Sequence, residues 1–491
     1  MTIKKIVIVG GGAVGWSVAA LLRAQFPREL VVIQLIEDSR KDALSVECAS
    51  SRIHSFHDLI GLQEKICMLD PYTHFGLGVM YEGWSYDSQK YMLAGGYYGA
   101  SLDGVDFQNI YIKNYLSGEK NDLDDFSLNA VAAKLGRFGH PSSDSQSIYS
   151  AIKYGLHFQL DSYADILKSH ALALGIDVII ADCTAVSRDN NSGNITSLEL
   201  DSQHSVMADL YIDCTGEASV LLGDACGVKC ASDDMDILCD RVAIGYRLQS
   251  SLLPSIAVLT STADGFFKVI PLKDRDVIVY YFSSDLIREN DIETMLATWG
   301  FTHVTIANYR SYRREKFWVN NCLAIGHSGA RYCDLLVSPL QSVRDSIVRF
   351  LDLFIDFDNV DASRDEFNRL SHIELDNINE VIELHMYASQ HHSAVSCRYF
   401  SSHSLSSSSA HRLNLFVSNG RHTHCDLSLL TDIEWAAFFI GNKIIPKSYS
   451  YDVDFLDGER VRDFLSKLKA VIFESAQKIP KHADYIKSLL K

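Results

Sequence analysis

The chain of 491 residues is poor in proline, with 8, and in tryptophan, with 5. So little proline excludes a collagen-like or proline-rich extended architecture. No apolar run reaches the roughly 18 residues of a membrane span. The N-terminus starts at once on a fold-building strand, where a leader would need a basic and then an apolar stretch. A cytoplasmic protein without a membrane partner is expected. Basic residues are in the minority, 45 Lys and Arg against 62 Asp and Glu, for a net charge of -17. Phosphate backbones are held by clustered cations, so nucleic acid is not expected as a partner either. The 11 cysteines are odd in number and follow no spaced framework, which suits a reducing compartment. Cys226 and Cys230 resemble half a metal site, but no second pair follows, and they read as structural thiols. His391-His392 and His422-Thr423-His424-Cys425 lack partners at ligand spacing, so no metal is expected.

What the chain does have stands at its start. An apolar strand, Ile6 to Val9, runs into Gly10-Gly11-Gly12-Ala13-Val14-Gly15-Trp16. Gly10 permits a tight strand-to-helix turn, Gly12 lets the backbone approach a pyrophosphate, and Gly15 lets the helix pack closely on the strand. The next segment, Ser17 to Gln25, is helical in pattern. The amides of Ala13 and Val14 then lie in the first turn, where they would face phosphate. A second strand, Val31 to Ile36, ends in Glu37, about 20 residues on, where an acid hydrogen-bonds a ribose hydroxyl. Arg40 follows, either reaching a phosphate or lying in a solvated loop.

The remaining pattern is α/β. A helix from Gln159 to Leu174 leads to a strand, Val178 to Ala181, and another strand spans Ile195 to Leu200. Strands Asp209 to Asp213 and Cys322 to Ile325 end in the small-residue runs Cys214-Thr215-Gly216 and Gly326-His327-Ser328-Gly329, as strands do at the ligand edge of a parallel sheet. Arg241 to Arg247, Val269 to Leu272 and Val277 to Phe282 read as longer strands of a substrate-side sheet. After Asp345 the pattern turns mostly helical: Ile347 to Ile355, Phe367 to Ala388, Trp435 to Phe439 and Val461 to Ala476. Ser401 to Ser409 reads as a loop. The expected division is residues 1–345, a cofactor box with an interleaved substrate-side sheet, and 346–491, a helical cap.

These landmarks, in this order, resemble the flavin-dependent tryptophan halogenases. Gly10 to Trp16 is similar to their opening Gly-Gly-Gly-x-x-Gly-Trp. Ser45-Val46-Glu47-Cys48-Ala49 resembles their Val-Gly-Glu-Ala-Thr strap. Asp209 to Gly216, Leu238-Cys239-Asp240-Arg241, Asn321 to Gly326 with Pro339-Leu340, and Ile479-Pro480-Lys481-His482 each resemble a family segment. The resemblance implies an FAD-binding, Rossmann-like fold of the hydroxylase type, a substrate-side β-sheet and a mostly helical C-terminal region. It implies reduced FAD, supplied by a flavin reductase or NAD(P)H, and O2. It places Glu47, Asp213, Gly216 and Gly326 at the flavin. An aromatic small molecule or a peptide tryptophan is the implied substrate, and a homodimer is left open.

The departures from the family pattern fall on its chemistry. There, reduced flavin, oxygen and halide give hypohalous acid, which a lysine relays to the indole. Gly76, in Phe75-Gly76-Leu77-Gly78-Val79-Met80-Tyr81-Glu82-Gly83-Trp84, stands at the lysine position; a register slip would instead bring Lys65 or Lys90 near. The family's Pro-Leu-Glu-Ser-Thr-Gly is Pro339-Leu340-Gln341-Ser342-Val343-Arg344. Gln341 hydrogen-bonds but is no general base near pH 7, and Val343-Arg344 replaces the halide-binding pair. Trp-x-Trp-x-Ile-Pro has become Phe266-Phe267-Lys268-Val269-Ile270-Pro271. The expected catalytic set is Gln341, Ser342, Glu82 and His327, with Glu82 and His327 as acid-base candidates. The expected activity is a flavin-dependent monooxygenase or oxidase that does not halogenate. A halogenase with a displaced lysine and a flavin-binding protein without turnover are the alternatives.

Overall fold

The computed structural model describes residues 4–39, 46–85, 90–231, 238–249, 253–354, 356–357, 360–422 and 429–489. The chain forms two compact units, each assembled from three segments. The first takes Met1–Asp70, Phe158–Asp236 and Arg310–Asp376, and the second Pro71–His157, Ile237–Tyr309 and Asn377–Lys491. The expected single boundary at residue 345 does not coincide with this division. The substrate-side strands fold with the C-terminal helices, and Pro339–Leu353 folds with the glycine-rich loop.

The first unit is built on a six-stranded sheet. Its order is Trp318–Val319, Cys322–Ala324, Leu210–Asp213, Lys4–Val9, Val31–Glu37 and Asp177–Ile180. Every pairing is parallel except that of Trp318–Val319 with Cys322–Ala324. Ile6, Val7, Ile8 and Val9 are wholly buried, as expected of a parallel strand covered on both faces. Helix Gly12–Gln25 buries Ala13 and the run Gly15 to Arg23, so it is apolar nearly all round. Val9 pairs with Asp213 and with Ile36, and Asp213 pairs with Ala324. That register brings Gly10, Cys214–Gly216 and Gly326 out at one edge.

The second unit carries a seven-stranded sheet in the order Thr302–Asn308, Arg241–Leu248, Arg275–Phe282, Gly265–Pro271, Ala257–Ser261, Gly78–Glu82 and Tyr91–Ala94. The expected strand at Val269 therefore begins earlier, at Gly265, and includes Phe266 and Lys268. Ala243, Ile278, Tyr280 and Phe282 pack with Ile292, Leu296 and Phe301 into a core beneath helix Glu289–Thr298.

The serine-rich stretch corrects the loop expectation. It straddles two helices, Ala394–Ser402 and Ser407–Asn419. Ser406 caps the second, its side chain accepting from the Ser409 amide. Glu383 accepts from the Ser406 amide at 2.7 Å and its hydroxyl at 2.6 Å, and from the Ser409 hydroxyl. Serine is a poor interior helix residue but a good cap, which is how a serine run serves a helix start.

Candidate functional site

The glycine loop has a distinct reason for each glycine. Gly10 has φ +107°, and a Cβ there would lie 2.2 Å from the Cys214 carbonyl oxygen. A Cβ on Gly15 would lie 2.0 Å from the Gly10 carbonyl oxygen, so both positions are closed to larger residues by packing. Gly12 differs. Its φ is +68° and a Cβ there would meet nothing within 4 Å, which leaves open space over the first turn of the helix. That open cradle, with the Ala13 and Val14 amides at a helix start, fits a dinucleotide pyrophosphate. Glu37 lies at the same edge, its Cγ 3.0 Å from where a Gly11 Cβ would be, and Lys168 Nζ holds its Oε2 at 2.6 Å. Arg40 lies outside the described residues.

Gly216 and Gly326 both take positive φ, +66° and +72°. A Cβ on Gly326 would come within 3.1 Å of Val14 and 3.4 Å of Val343, so this loop closes directly on the glycine-rich turn. Asp213, expected near the flavin, is wholly buried and organises the loops around it. Its Oδ1 accepts from the Thr215 amide (3.0 Å), the Thr215 hydroxyl (2.6 Å) and the Ser328 hydroxyl (3.0 Å). Its Oδ2 accepts from the Leu221 and Leu222 amides at 3.0 and 2.8 Å and from the Ser219 hydroxyl at 3.3 Å. Six protein donors leave this buried carboxylate to shape the loops at the sheet edge.

Helix Pro339–Leu353 separates its residues onto different surroundings. Gln341 is buried and accepts from Ser50 Oγ at 2.9 Å. Ser50 follows strand Val46–Ala49, which carries the buried Glu47. Arg344 is buried as well, its Nε donating to the Leu340 carbonyl at 3.2 Å and its guanidinium 5.9 Å from the Phe56 ring centre. Burial lowers its pKa, against Asp345, Tyr163 and Glu47. The same burial, with His54 and Arg344, holds neutral the neighbouring His57 imidazole, lowered to about 3.

Ser342 and His327 meet at a small pocket that also takes in Gly326, Tyr332, Val343, Ser371 and Glu374. The Ser342 and Tyr332 hydroxyls are 2.7 Å apart. Glu374 lines the same pocket, and its carboxylate accepts from Arg349 Nη2 at 2.5 Å. Burial pushes the Glu374 carboxyl up, and Arg349 opposes it. The structure thus joins two of the four expected catalytic residues in one pocket and holds Gln341 elsewhere on the same helix. Glu82 belongs to the second unit and pairs with Lys90 at 2.7 Å. Lys90 is solvent-exposed in that pair. Sequence reasoning missed Tyr332, Arg349 and Glu374. Nothing in their spacing marks them, because a loop and two helices bring them together.

In the second unit, strand His74–Gly76 pairs with Gly155–Gln159, setting Gly76 opposite Gly155 and His74 opposite His157. The His157 ring leans over Gly76, so that a Cβ at 76 would lie 2.4 Å from His157 Nε2. His157 Nδ1 bonds the Pro271 carbonyl at 3.2 Å, and His74 and His482 complete a buried cluster. Burial keeps all three rings neutral, lowering His157 to about 4 and His482 to about 3. Lys268 is buried on strand Gly265–Pro271 and is the charged neighbour felt by His157. On the same strand Phe266, its ring centre 6.0 Å from that of Trp84, lines a second, water-sized pocket with Met386, Val395 and Ser396.

The tryptophan halogenase profile matches residues 5–457. The chain belongs to the tryptophan halogenase family. The 7-chloro-L-tryptophan 6-halogenase KtzR of Kutzneria sp. (strain 744) is 27% identical over 417 residues, covering 77% of this chain and 78% of that protein. The tryptophan 6-halogenase SttH of Streptomyces toxytricini is 25% identical over 372 residues, 69% of this chain and 68% of its own. Among solved structures, the flavin-dependent halogenase BrvH from Brevundimonas sp. BAL3 superposes with TM-score 0.93 at 25% identity, covering 99% of both chains. Tryptophan halogenases use reduced FAD, supplied by a flavin reductase, together with O2. The open space over Gly12 and the acid at Glu37 are where this member of the family would hold that cofactor. Among the described residues no helix is long and apolar enough to cross a membrane.

Proposed function

We propose that this member of the tryptophan halogenase family transfers oxygen to an aromatic ring without passing through a halide. Bound reduced FAD supplies the electrons that activate O2. The observation that carries the reading is the filled space at Gly76: the His157 ring lies where a side chain would begin. An amine to take up hypohalous acid has no origin at that position. Gln341, fixed by Ser50, donates and accepts hydrogen bonds but takes no proton near neutral pH. Proton handling passes instead to Ser342. Its hydroxyl bonds Tyr332 and shares a pocket with Glu374, a carboxyl whose raised pKa brings it nearer to working pH. MibH, a structural neighbour with TM-score 0.81, is a lanthipeptide tryptophan 5-halogenase, which supports including peptides among the substrates tried.

A second reading, a halogenase with a displaced lysine, has one observation in its favour. Lys268 is buried and is the charge nearest in effect to His157. Turnover with a flavin reductase, on free indoles and tryptophan-containing peptides, with and without bromide, separates the two. Products that gain oxygen, in yields indifferent to bromide, support oxygen transfer. Brominated product that disappears in Lys268→Met supports the second reading and overturns the first.

A further inference from the structure

Lys168 stands beside the cofactor cradle, and neither reading uses it. It belongs to helix Leu160–Ala173, which lies against helix Gly12–Gln25 of the glycine-rich loop. Its Nζ is 2.6 Å from Glu37 Oε2 and 5.6 Å from the ring centre of Trp16, the buried residue that directly follows Gly15. The Lys168 and Glu37 side chains are 33% and 22% exposed, so solvent screens the pair only in part. The backbone of Glu37 is fixed as well. Its carbonyl accepts from the Ala181 amide at 3.1 Å, and the Ile36 carbonyl before it accepts from the Gly10 amide at 3.0 Å. The two carboxylate oxygens then face different groups. Oε2 is taken by Lys168, while Oε1 would lie 3.5 Å from a Cβ on Gly11, with Cγ at 3.0 Å. The carboxylate therefore leans over the glycine-rich turn. Gly11, which the spaced motif does not require, is the residue that makes room for it. A glutamate loses rotamer freedom when it fixes a ligand hydroxyl, and the ion pair with Lys168 removes that freedom beforehand.

We propose that Lys168 is a positioning residue for the cofactor, holding the Glu37 carboxylate so that Oε1 accepts from the 2′-hydroxyl of the adenosine ribose of FAD. The proposal rests on the family's cofactor alone. It holds whether oxygen or halogen reaches the substrate, so its failure leaves the proposed function untouched. A lysine that met the pyrophosphate directly would strengthen the binding of every adenine nucleotide alike. One that acts through Glu37 matters only to a ligand that carries the hydroxyl.

The test displaces FAD from the full-length holoprotein with ADP and, separately, with 2′-deoxy-ADP, each followed by flavin fluorescence. The wild-type protein should bind ADP about tenfold more tightly than 2′-deoxy-ADP, as one hydrogen bond to a charged acceptor allows. Lys168→Met puts a good helix former at a partly exposed helix position and should keep the fold, which circular dichroism checks. It should bring the preference down to about threefold or less, chiefly by weakening ADP. Lys168→Gln repeats the measurement should the first variant fold poorly. Glu37→Gln should lower the preference too, and adding Lys168→Met to it should change the preference no further. Equal binding of the two nucleotides by the wild-type protein overturns the proposal. So does a wild-type preference retained without Lys168, or an equal loss of both nucleotides in Lys168→Met.

Discussion

A single methyl group at position 76 measures how tightly His157 fills the space there. The Gly76 backbone is outside the positive-φ region, so alanine fits its conformation. By its effect on the unfolded chain alone, Gly76→Ala would stabilise the protein by about 0.4–1 kcal/mol. Against this stands a Cβ 2.4 Å from His157 Nε2, 2.9 Å from Cδ2 and 3.1 Å from Cε1. The ring has no easy retreat, because Nδ1 is tied to Pro271 and the His74 ring lies 5.8 Å away. Overpacking of this kind costs about 1–3 kcal/mol, and a stretched hydrogen bond adds about 1 more. The balance is a destabilisation of about 1–3 kcal/mol. In a His157→Ala background the obstruction is gone, and the same Gly76→Ala change should turn stabilising by about 0.4–1 kcal/mol. Urea titrations of the four proteins, followed by tryptophan fluorescence and circular dichroism, give both differences. A stabilising Gly76→Ala in the wild-type background, or the same sign in both backgrounds, would refute the argument that His157 holds this position closed.

Other expectations follow from the same geometry. Gly12→Val should abolish FAD binding in a fluorescence titration while circular dichroism stays native; unchanged affinity would remove Gly12 from the cofactor cradle. Gly76→Lys should not halogenate tryptophan by mass spectrometry, since its side chain would have to displace His157 while Gln341 still supplies no base; robust halogenation would show that the other departures do not matter. Arg349→Met should cost about 3–5 kcal/mol, because it strands a buried carboxylate, and adding Glu374→Gln should recover much of it in denaturant titrations. His157, His385 and His482 have pKa values depressed by burial to about 4, 4 and 3. The unfolded chain takes up protons at these sites first, so their stability is full above pH 6.5 and declines as pH falls toward about 4. The combined slope is roughly 4 kcal/mol per pH unit. A stability flat from pH 7 to 5 would contradict the neutral, buried assignment.

The nucleotide end of the fold was legible because its signals are local. A strand, three glycines at fixed spacing, a helix and an acid all fall within Lys4–Glu37, and the structure assembles them in that order. The long strands and the late helices were legible from apolar period. The division into units was not, because Pro339–Leu353 and the substrate-side strands belong with segments far away in sequence. Asp213 illustrates the limit at the site. The family resemblance put it near the flavin; the sequence did not show the six protein donors that surround it, which come from residues 215–222 and 328. The Ser342–Tyr332 hydrogen bond in the pocket with Glu374 and the His157 ring over Gly76 arise only from tertiary packing. By contrast, glycine at 76 is plain from the sequence, and the structure adds the His157 ring that lies over it.

The central claim is that oxygen, and not a halogen, reaches the aromatic substrate. Turnover under isotopically heavy O2 in saturating bromide, with the product resolved by high-resolution mass spectrometry, tests it most directly. The account predicts a product carrying one heavy oxygen atom and no bromine isotope pair. A brominated product without the heavy label would contradict it.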